Sequence, residues 1–236
     1  MKKAKALERA MNIIFTVCGF VALGFVAVIT VFLIFSGAPA IGKIGLREFF
    51  FGTVWKPTAE QPLYGILPFI MTSVCGTAGA CIPGVPLGVL CAAHIAKGVG
   101  KKTGSLISAA VELLAGIPSV VYGLVGMIII VPAVRDTFNL PDGANLFSAI
   151  IVLTVMILPS VISVSKTAIE AVPHEYEEGS LALGATKCET VFKVTVPAAK
   201  SGILASVVLG MGRAVGEAVK LIAEDTENVE ISFGDR

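Results

Sequence analysis

The sequence predicts an all-α protein, a polytopic bundle of about five transmembrane helices. Composition is the first reason, since 55% of the 236 residues are hydrophobic and 15% are charged, against roughly 25% charged residues in ordinary soluble domains. Long apolar runs are the second reason, because about 20 apolar residues cross a bilayer as a helix. Lipid offers the backbone no hydrogen-bond partners, so a spanning run must satisfy its own backbone groups as a helix.

Five spans account for the apolar runs. Four runs are long and almost free of charged residues, and a fifth, after Lys200, is interrupted by Arg213 and Glu217. The first run is longer than the roughly 7–15 apolar residues of a secretory signal, so we expect an uncleaved membrane helix. The expected spans are about 11–35, 64–93, 105–134, 146–166 and 200–222, after a basic N-terminal segment at 1–10.

Lysine and arginine counts give the expected orientation, because the cytoplasmic segments of a membrane protein carry an excess of these residues. With the N-terminus inside, the inner segments hold 11 of them and the outer segments hold 4. This orientation also places the segment from Lys166 to Lys200 in the cytoplasm. We therefore expect a multi-pass protein of the cell (inner) membrane with a cytoplasmic N-terminus.

The sequence contains no pattern for a catalytic step or a cofactor. Its five cysteines form no C-x-x-C pair. A disulfide between Cys75 and Cys81 is one interpretation, but free cysteine in an apolar helix acts as a small hydrophobic residue, and we favour that interpretation. No G-x-x-x-x-G-K-[ST] nucleotide loop is present. We expect no enzymatic activity, no metal, no cofactor and no nucleic-acid partner.

The segment 172–197 predicts two short helices joined by a tight turn outside the bilayer. Pro173 suits the first turn of a helix, and the glutamates that follow it favour the positive helix end. Gly184 suits a left-handed helix end, and Thr186 with Glu189 forms a T-x-x-E capping box for the second helix. The hairpin is either an ordinary interfacial element or a docking element for a soluble partner.

The spacing within this hairpin resembles the EAA loop of ABC importer permeases, whose pattern is E-A-A, three residues, G, nine residues, I-x-L-P. The matching residues are Glu178-Gly179-Ser180, then Gly184, then Val194-Thr195-Val196-Pro197, with both gaps kept. The resemblance implies the type I importer permease fold and a loop that docks on a separate ATPase subunit, which hydrolyses the ATP. The coupling residues that it implies are Glu178, Gly179, Ser180, Gly184 and Pro197.

Further stretches resemble the phosphate importer permeases, especially the PstC type. They read YGILPF at 64–69, GVPLG at 84–88, VELLAGIPSVVYGLVG at 111–126, MILP at 156–159 and GMGRAVGE at 210–217. The PstA type is the close alternative. The resemblance implies that residues 11–222 form a transmembrane permease domain, half of a path for inorganic phosphate. The partners that it implies are a second permease of the PstA type, two ATPase subunits of the PstB type and an external phosphate-binding protein of the PstS type.

Arg213 and Glu217 are the candidate residues of the substrate path. They lie at i and i+4, on one helix face, and Arg213 is about 20 Å from Lys200 at 1.5 Å per residue. Ionisable residues at such depth usually face a cavity or a partner. Arg213 would offer its donors to phosphate oxygens, while Glu217 would hold it by charge and hydrogen bond or accept a hydrogen bond from protonated phosphate. The alternative is a structural ion pair.

The fifth span also carries small residues at four-residue steps. They are Gly202, Ser206, Gly210, Ala214 and Ala218, and Gly212 with Gly216 adds a G-x-x-x-G. Small residues let membrane helices pack backbone to backbone. We expect a packing face directed at the chain's own bundle, at a second permease, or at both.

After Glu217 the sequence departs from the family pattern. Residues 223–236 form a polar, charged tail, where the family continues with apolar sequence and a sixth helix. The expectation is a chain truncated at its C-terminus, with the sixth span missing. Two other interpretations stay open: a different oxyanion cargo, such as molybdate or phosphonate, and an inactive membrane remnant or structural subunit.

Overall fold

The computed structural model describes residues 2–57, 59, 61–224 and 229–230, and the side chains of residues 11–57, 59 and 61–217. Apart from 223–224 and 229–230, the expected polar tail lies outside the described residues. The described chain is almost entirely helical, which confirms the predicted all-α class. It forms two compact units, one up to Leu67 with residues 229–230, and the other from Pro68 onwards.

The first unit contains one long apolar helix, α1 (Lys2–Ile44), followed by the short helix α2 (Leu46–Phe51). Apolar side chains between Met11 and Phe35 are exposed all around α1, as lipid contact requires. The expected span ends at about residue 35, but α1 continues through Pro39 to Ile44.

A small antiparallel sheet in the first unit is the element that the all-α prediction did not include. Its strands are β1 (Val54–Lys56), β2 (Leu63–Tyr64) and β3 (Val229–Glu230), in the order β2-β1-β3. Trp55 pairs with Tyr64 on one side and with Val229 on the other. The Trp55 and Tyr64 rings pack edge to face with centroids 5.7 Å apart. Aromatic and β-branched residues favour strands, so this short segment leaves the helical pattern.

The second unit contains the remaining helices. They are α3 (Leu67–Ala93), α4 (Lys101–Ala115), α5 (Ser119–Val125), α6 (Val131–Phe138), α7 (Leu146–Glu170), α8 (His174–Ala182), α9 (Lys187–Thr190), α10 (Val196–Ala198) and α11 (Lys200–Glu224). Three π-helical turns extend or join them: His94–Gly98, Gly126–Ile130 and Val191–Thr195. Four helices are long and apolar enough to span a membrane: Met11–Ile44, Leu67–Gly98, Ser119–Phe138 and Leu146–Glu170. Lys187–Ala198 and Lys200–Glu217, bent by 71°, make a fifth if they count as one span. The structure therefore has four or five candidate spans, against the five or so expected, and Lys200–Glu217 passes only together with the preceding segment Lys187–Ala198.

The third span differs from its expected limits of 105–134. Helix α4 ends at Ala115, and the helix long enough to span the membrane runs from Ser119 to Phe138. Pro118 explains the break, because proline lacks an N–H and disfavours the helical conformation in the residue before it. Helix α4 is therefore a separate element, which packs against α7.

Helix α7 is the centre of the second unit. Its Leu153, Ile157 and Val161 are fully buried. Helix α3 packs alongside in the same direction, because Gly84 approaches Ile157 and Gly88 approaches Val161. Two spans separated by one intervening span run in the same direction, as the alternating topology predicts.

Helix α11 packs against α7 in the opposite direction. Gly202 lies against Ala168, near the end of α7, and Gly210 lies against Val161, nearer its middle. Consecutive spans alternate in direction, so this antiparallel contact also agrees with the predicted order of crossings.

Candidate functional site

The hairpin 172–197 has the local structure that its sequence predicts. Gly184 adopts φ 88°, a left-handed conformation that glycine reaches without the steric cost of a Cβ atom. The backbone N–H of Glu189 donates to Thr186 Oγ1 at 3.3 Å, and the Thr186 N–H donates to Glu189 Oε2 at 3.0 Å. The capping box is confirmed, and it starts α9 directly after the turn.

Hydrogen bonds in this capping box also affect the charge of Glu189. The backbone N–H of Thr186 holds the pKa of the Glu189 carboxyl below its usual value. The Lys193 ammonium, 3.2 Å from Glu189 Oε1, and the Thr186 hydroxyl lower that pKa further. The carboxylate therefore stays ionised at neutral pH and stabilises the positive end of α9.

The five candidate coupling residues do not all face outward. Glu178, Gly179, Gly184 and Pro197 are exposed. Ser180 is half-buried, and its Oγ lies 3.0 Å from the Thr190 Oγ1 atom of the other arm. Ser180 therefore closes the hairpin internally, while the other four are accessible to a partner.

Large apolar side chains surround the exposed coupling residues. Leu183 is 91% exposed at the turn, and Tyr176, Leu181 and Phe192 are also exposed. Contiguous exposed apolar patches are typical of protein–protein or membrane interaction sites. Together with the Glu178 carboxylate, they give this surface both apolar and acidic character.

Glu177, which the sequence did not single out, has more contacts than any of its glutamate neighbours. Its Oε1 atom is 2.6 Å from Lys97 Nζ, in the π-helical turn after α3, and both side chains are largely buried. Thr195 Oγ1 lies 3.4 Å from the same oxygen, and His174 Nδ1 lies 3.7 Å from Oε2. No signal in the sequence distinguishes this residue, because three glutamates in one helical turn are equivalent by composition.

Arg213 bonds to helix α7. Its Nη1 atom donates to Ser160 Oγ at 3.1 Å, and the side chain is half-buried. Ser160 is ten residues before the end of α7, about 15 Å along the helix, while Arg213 is about 20 Å from the start of α11 by the same rise. Both counts place the guanidinium several helical turns away from the Glu170 end of α7 and from the Lys200 end of α11.

Glu217 is half-buried one turn further along α11. The expected direct ion pair with Arg213 is absent from the salt bridges of the described side chains, because the guanidinium is directed towards Ser160. Ser160 directly follows the MILP stretch. Its hydroxyl within an apolar run was the one signal in the sequence that could have identified it as a functional residue. The structure thus brings Arg213 to α7 and leaves Glu217 without that partner.

The small residues of α11 divide between two faces. Ser206 and Ala214 are fully buried, and Ser206 Oγ lies 2.8 Å from Ser165 Oγ of α7. Gly212 and Gly216 have open space where a side chain would project. One face therefore packs on the chain's own bundle, and the other is free within the described part of the chain.

The described residues include no group of three or more His, Cys, Asp or Glu side chains that could hold a metal ion. The five cysteines are all free, so the alternative disulfide between Cys75 and Cys81 is not formed.

Comparison with known proteins supplies the context for this geometry. The model of the family described as binding-protein-dependent transport system inner membrane component matches residues 84–222. The chain is 40% identical over 213 residues to the probable ABC transporter permease protein YqgH of Bacillus subtilis (strain 168), covering 88% of this chain and 68% of that protein. It is 33% identical over 238 residues to the phosphate transport system permease protein PstC of Haemophilus influenzae, covering 92% and 73%. A chain of the inward-facing MetNI methionine ABC transporter is similar in fold, with a TM-score of 0.50 and 24% identity over 64% of this chain and 68% of that one.

Proposed function

The chain belongs to the family of binding-protein-dependent transport system inner membrane components, and from this we propose that it forms half of the translocation path of an importer for inorganic phosphate. Members of this family are permease subunits of ABC importers, which are transport proteins rather than enzymes. The phosphate assignment is supported by the similarity to the Haemophilus influenzae PstC protein. It is supported independently by the chemistry around Arg213.

The observation that carries the proposal is a guanidinium that, among the described side chains, is hydrogen-bonded to a neutral hydroxyl several helical turns from the ends of α7 and α11. The Nη1 atom of Arg213 donates a hydrogen bond to Ser160 Oγ, and a guanidinium has five N–H donors in all. A planar fork of donors matches two oxygens of a phosphate in bidentate geometry. An ionisable side chain at this depth is costly unless it serves a path or a partner. Phosphate passing along α11 would meet this fork.

Glu217 supplies the second part of the proposed selectivity. It lies one turn from Arg213 on the same helix and is half-buried. Its carboxylate accepts hydrogen bonds but donates none when ionised. Phosphate that still carries a proton can donate to it, whereas a fully deprotonated oxyanion is repelled. The pair would therefore favour protonated phosphate over anions such as molybdate.

The hairpin 172–197 is the proposed contact with the ATPase subunit. Its outer surface combines the exposed Leu183 with the carboxylate of Glu178, so it fits an apolar groove that carries a basic side chain. Gly179 has open space around it, which allows a partner to approach the backbone closely. ATP hydrolysis takes place on that partner, proposed to be a PstB-type dimer.

The remaining partners follow from the same proposal. A PstA-type permease would complete the path, and the open face at Gly212 and Gly216 suits close packing of a second membrane helix. A PstS-type binding protein would deliver phosphate at the outer side. The proposed orientation has the N-terminus and the hairpin in the cytoplasm, as the lysine and arginine bias predicts.

Uptake by the reconstituted complex tests this function. The chain is expressed with its candidate permease, ATPase and binding-protein partners, purified, and placed in proteoliposomes loaded with ATP. We expect ATP-dependent uptake of labelled phosphate that unlabelled phosphate suppresses and that molybdate leaves unchanged. Stronger competition by molybdate or a phosphonate would reassign the cargo, and failure to co-purify with any ATPase would favour a structural subunit.

A further inference from the structure

The ion pair between Lys97 and Glu177 joins the hairpin to a membrane helix other than those that flank it in sequence. The two atoms are 2.6 Å apart, and the side chains are 14% and 17% exposed. The ion pairs Arg135–Asp136, Lys166–Glu170, His174–Glu177 and Lys193–Glu189 each stay within one element or its continuation. Lys97–Glu177 is thus the charged contact between the hairpin and α3 in the described part of the chain.

Glu177 also ties the two arms of the hairpin together. Its Oε1 atom lies 3.4 Å from Thr195 Oγ1, whose hydroxyl can donate to it or to the Thr190 carbonyl at the same distance, and Thr195 is fully buried in the π-helical turn Val191–Thr195. The carboxylate therefore contacts both arms of the hairpin and the end of α3. Moving either arm displaces the oxygen that Lys97 binds.

The apolar cluster around this ion pair does not by itself fix the position of the hairpin relative to α3. It includes Ile95 of the π-helical turn, Ile169 of α7, and Val172 and Ala199 at the two ends of the hairpin. Apolar contact is non-directional, so such surfaces can slide against one another while staying buried. A short, largely buried ion pair fixes the relative position of its two partners.

Helix α3 carries a displacement from Lys97 to the level of the substrate path. Gly88 is nine residues before Lys97, about 14 Å along the helix, and it lies against Val161 of α7. Val161 is the neighbour of Ser160, which holds Arg213. A shift at the cytoplasmic end of α3 therefore reaches the helix surface beside the Arg213 donor.

We propose that Lys97 and Glu177 are positioning residues that transmit movement of the hairpin to α3, so that a partner closing on the hairpin changes the surroundings of Arg213. This inference rests on the proposed importer function. In this proposal, movement of the hairpin moves α3, which neither the sequence of α3 nor its connection along the chain indicates. The pair does not contact the cargo and does not form the outer docking surface.

The test compares transport per ATP in the complete reconstituted complex. Lys97→Met and Glu177→Gln are each expected to lower the number of phosphate ions taken up per ATP hydrolysed by at least about fivefold, the low end of typical coupling between sites. The ATPase subunit is expected to remain bound and active. Lys166→Gln is the matched control, because Lys166 pairs with Glu170 at the same membrane end but within α7, and it should leave the ratio unchanged.

The double variant separates a positioning role from a purely structural one. Each single change leaves a largely buried charge without its partner, which destabilises the chain, while removing both charges relieves this. We expect the double variant to recover the thermal stability of the complex while its uptake per ATP remains low. Recovery of both quantities, or single variants with an unchanged ratio, would overturn the proposal.

The unmodified complex distinguishes this inference from the proposed function. If it takes up no phosphate but carries another anion, the cargo assignment fails and the same ratio is measured with that anion. If it takes up phosphate and the single variants behave as Lys166→Gln does, the cargo assignment stands and the transmission role fails.

Discussion

Gly88→Ala tests the close packing of α3 on the centre of the second unit. A Cβ atom at this position would lie 2.7 Å from Val161 Cγ1 and 3.0 Å from Val161 Cβ, whereas ordinary contact begins at 3.4 Å. Rotation about χ1 could move Cγ1, but it cannot move Cβ, and Val161 is fully buried. The two helices must therefore separate by several tenths of an ångström.

The expected loss of stability follows from two opposing effects. Overpacking a core costs about 1–3 kcal/mol, and replacing glycine by alanine within a helix returns about 0.5–1 kcal/mol. A net loss of about 1 kcal/mol lowers Tm by about 2–4 °C for a chain of this size. Thermal unfolding of the purified protein in detergent, followed by a thiol-reactive dye or by size-exclusion chromatography, measures this shift.

Gly212→Ala is the matched control, because it is the same substitution in a helix where the added Cβ meets open space. We expect it to raise Tm, since only the helix-propensity gain applies. The double variant Gly88→Ala/Val161→Ala should lose less stability than the two single variants lose in sum, because the smaller side chain at position 161 makes room for the Cβ atom at position 88. A Gly88→Ala protein as stable as the Gly212→Ala protein would refute the packing of α3 on α7.

Three further predictions concern the α7–α11 contact and the hairpin. Ser206 Oγ donates to the Ile203 carbonyl at 2.7 Å and so accepts from Ser165 Oγ. Ser206→Ala should therefore lower Tm more than Ser165→Ala, because only Ser206→Ala leaves a buried donor, the Ser165 hydroxyl, without its acceptor. Equal shifts in Tm would contradict this hydrogen-bond direction. Gly184→Ala should cost about 1 kcal/mol at φ 88° and weaken binding of the ATPase subunit about fivefold in a pull-down titration. Gly179→Ala, at an exposed helical position, is the comparison for the stability change alone, because Gly179 is itself part of the proposed docking surface. Because the folded pKa of Glu189 lies below its usual value, the capping contribution should be complete above the unfolded glutamate pKa and be lost as the pH falls through the lower folded value. Protection of the Thr186 amide, which donates to the Glu189 carboxylate, against hydrogen exchange should show this loss, and Glu189→Gln, which keeps the capping geometry, should not.

The sequence was sufficient to predict those elements whose structure depends on local interactions. Gly184, Thr186 and Glu189 act within a few residues of one another, so the turn and the capping box followed from their spacing alone. The apolar runs likewise predicted the helices, because lipid leaves the backbone no other way to satisfy its hydrogen bonds. Pro118 is also a local signal, but the run from 105 to 134 looks continuous by hydropathy, and the break was missed.

Contacts between distant segments could not be predicted in this way. Arg213 and Glu217 share one helix face, so their spacing suggested a pair, yet Arg213 reaches across to Ser160, 53 positions away. Glu177 differs from Glu178 only in the direction of its side chain, and that direction decides which carboxylate meets Lys97. The strand pairing of Trp55 with Val229 joins residues from the two ends of the chain. Such pairings depend on how helices and strands pack against one another, and this packing cannot be predicted from composition and residue spacing.

The most direct test of the account is phosphate uptake by complexes carrying changes at Arg213. A charge-assisted hydrogen bond contributes about 1.5–3 kcal/mol, so Arg213→Gln should reduce uptake by about 10- to 150-fold, and Arg213→Lys, which keeps the charge without the planar fork, should fall between. Arg135→Gln is the matched control, because Arg135 is exposed and pairs with its neighbour Asp136. Uptake and phosphate affinity that are unchanged in Arg213→Gln, in a complex that retains its ATPase subunit, would contradict the account.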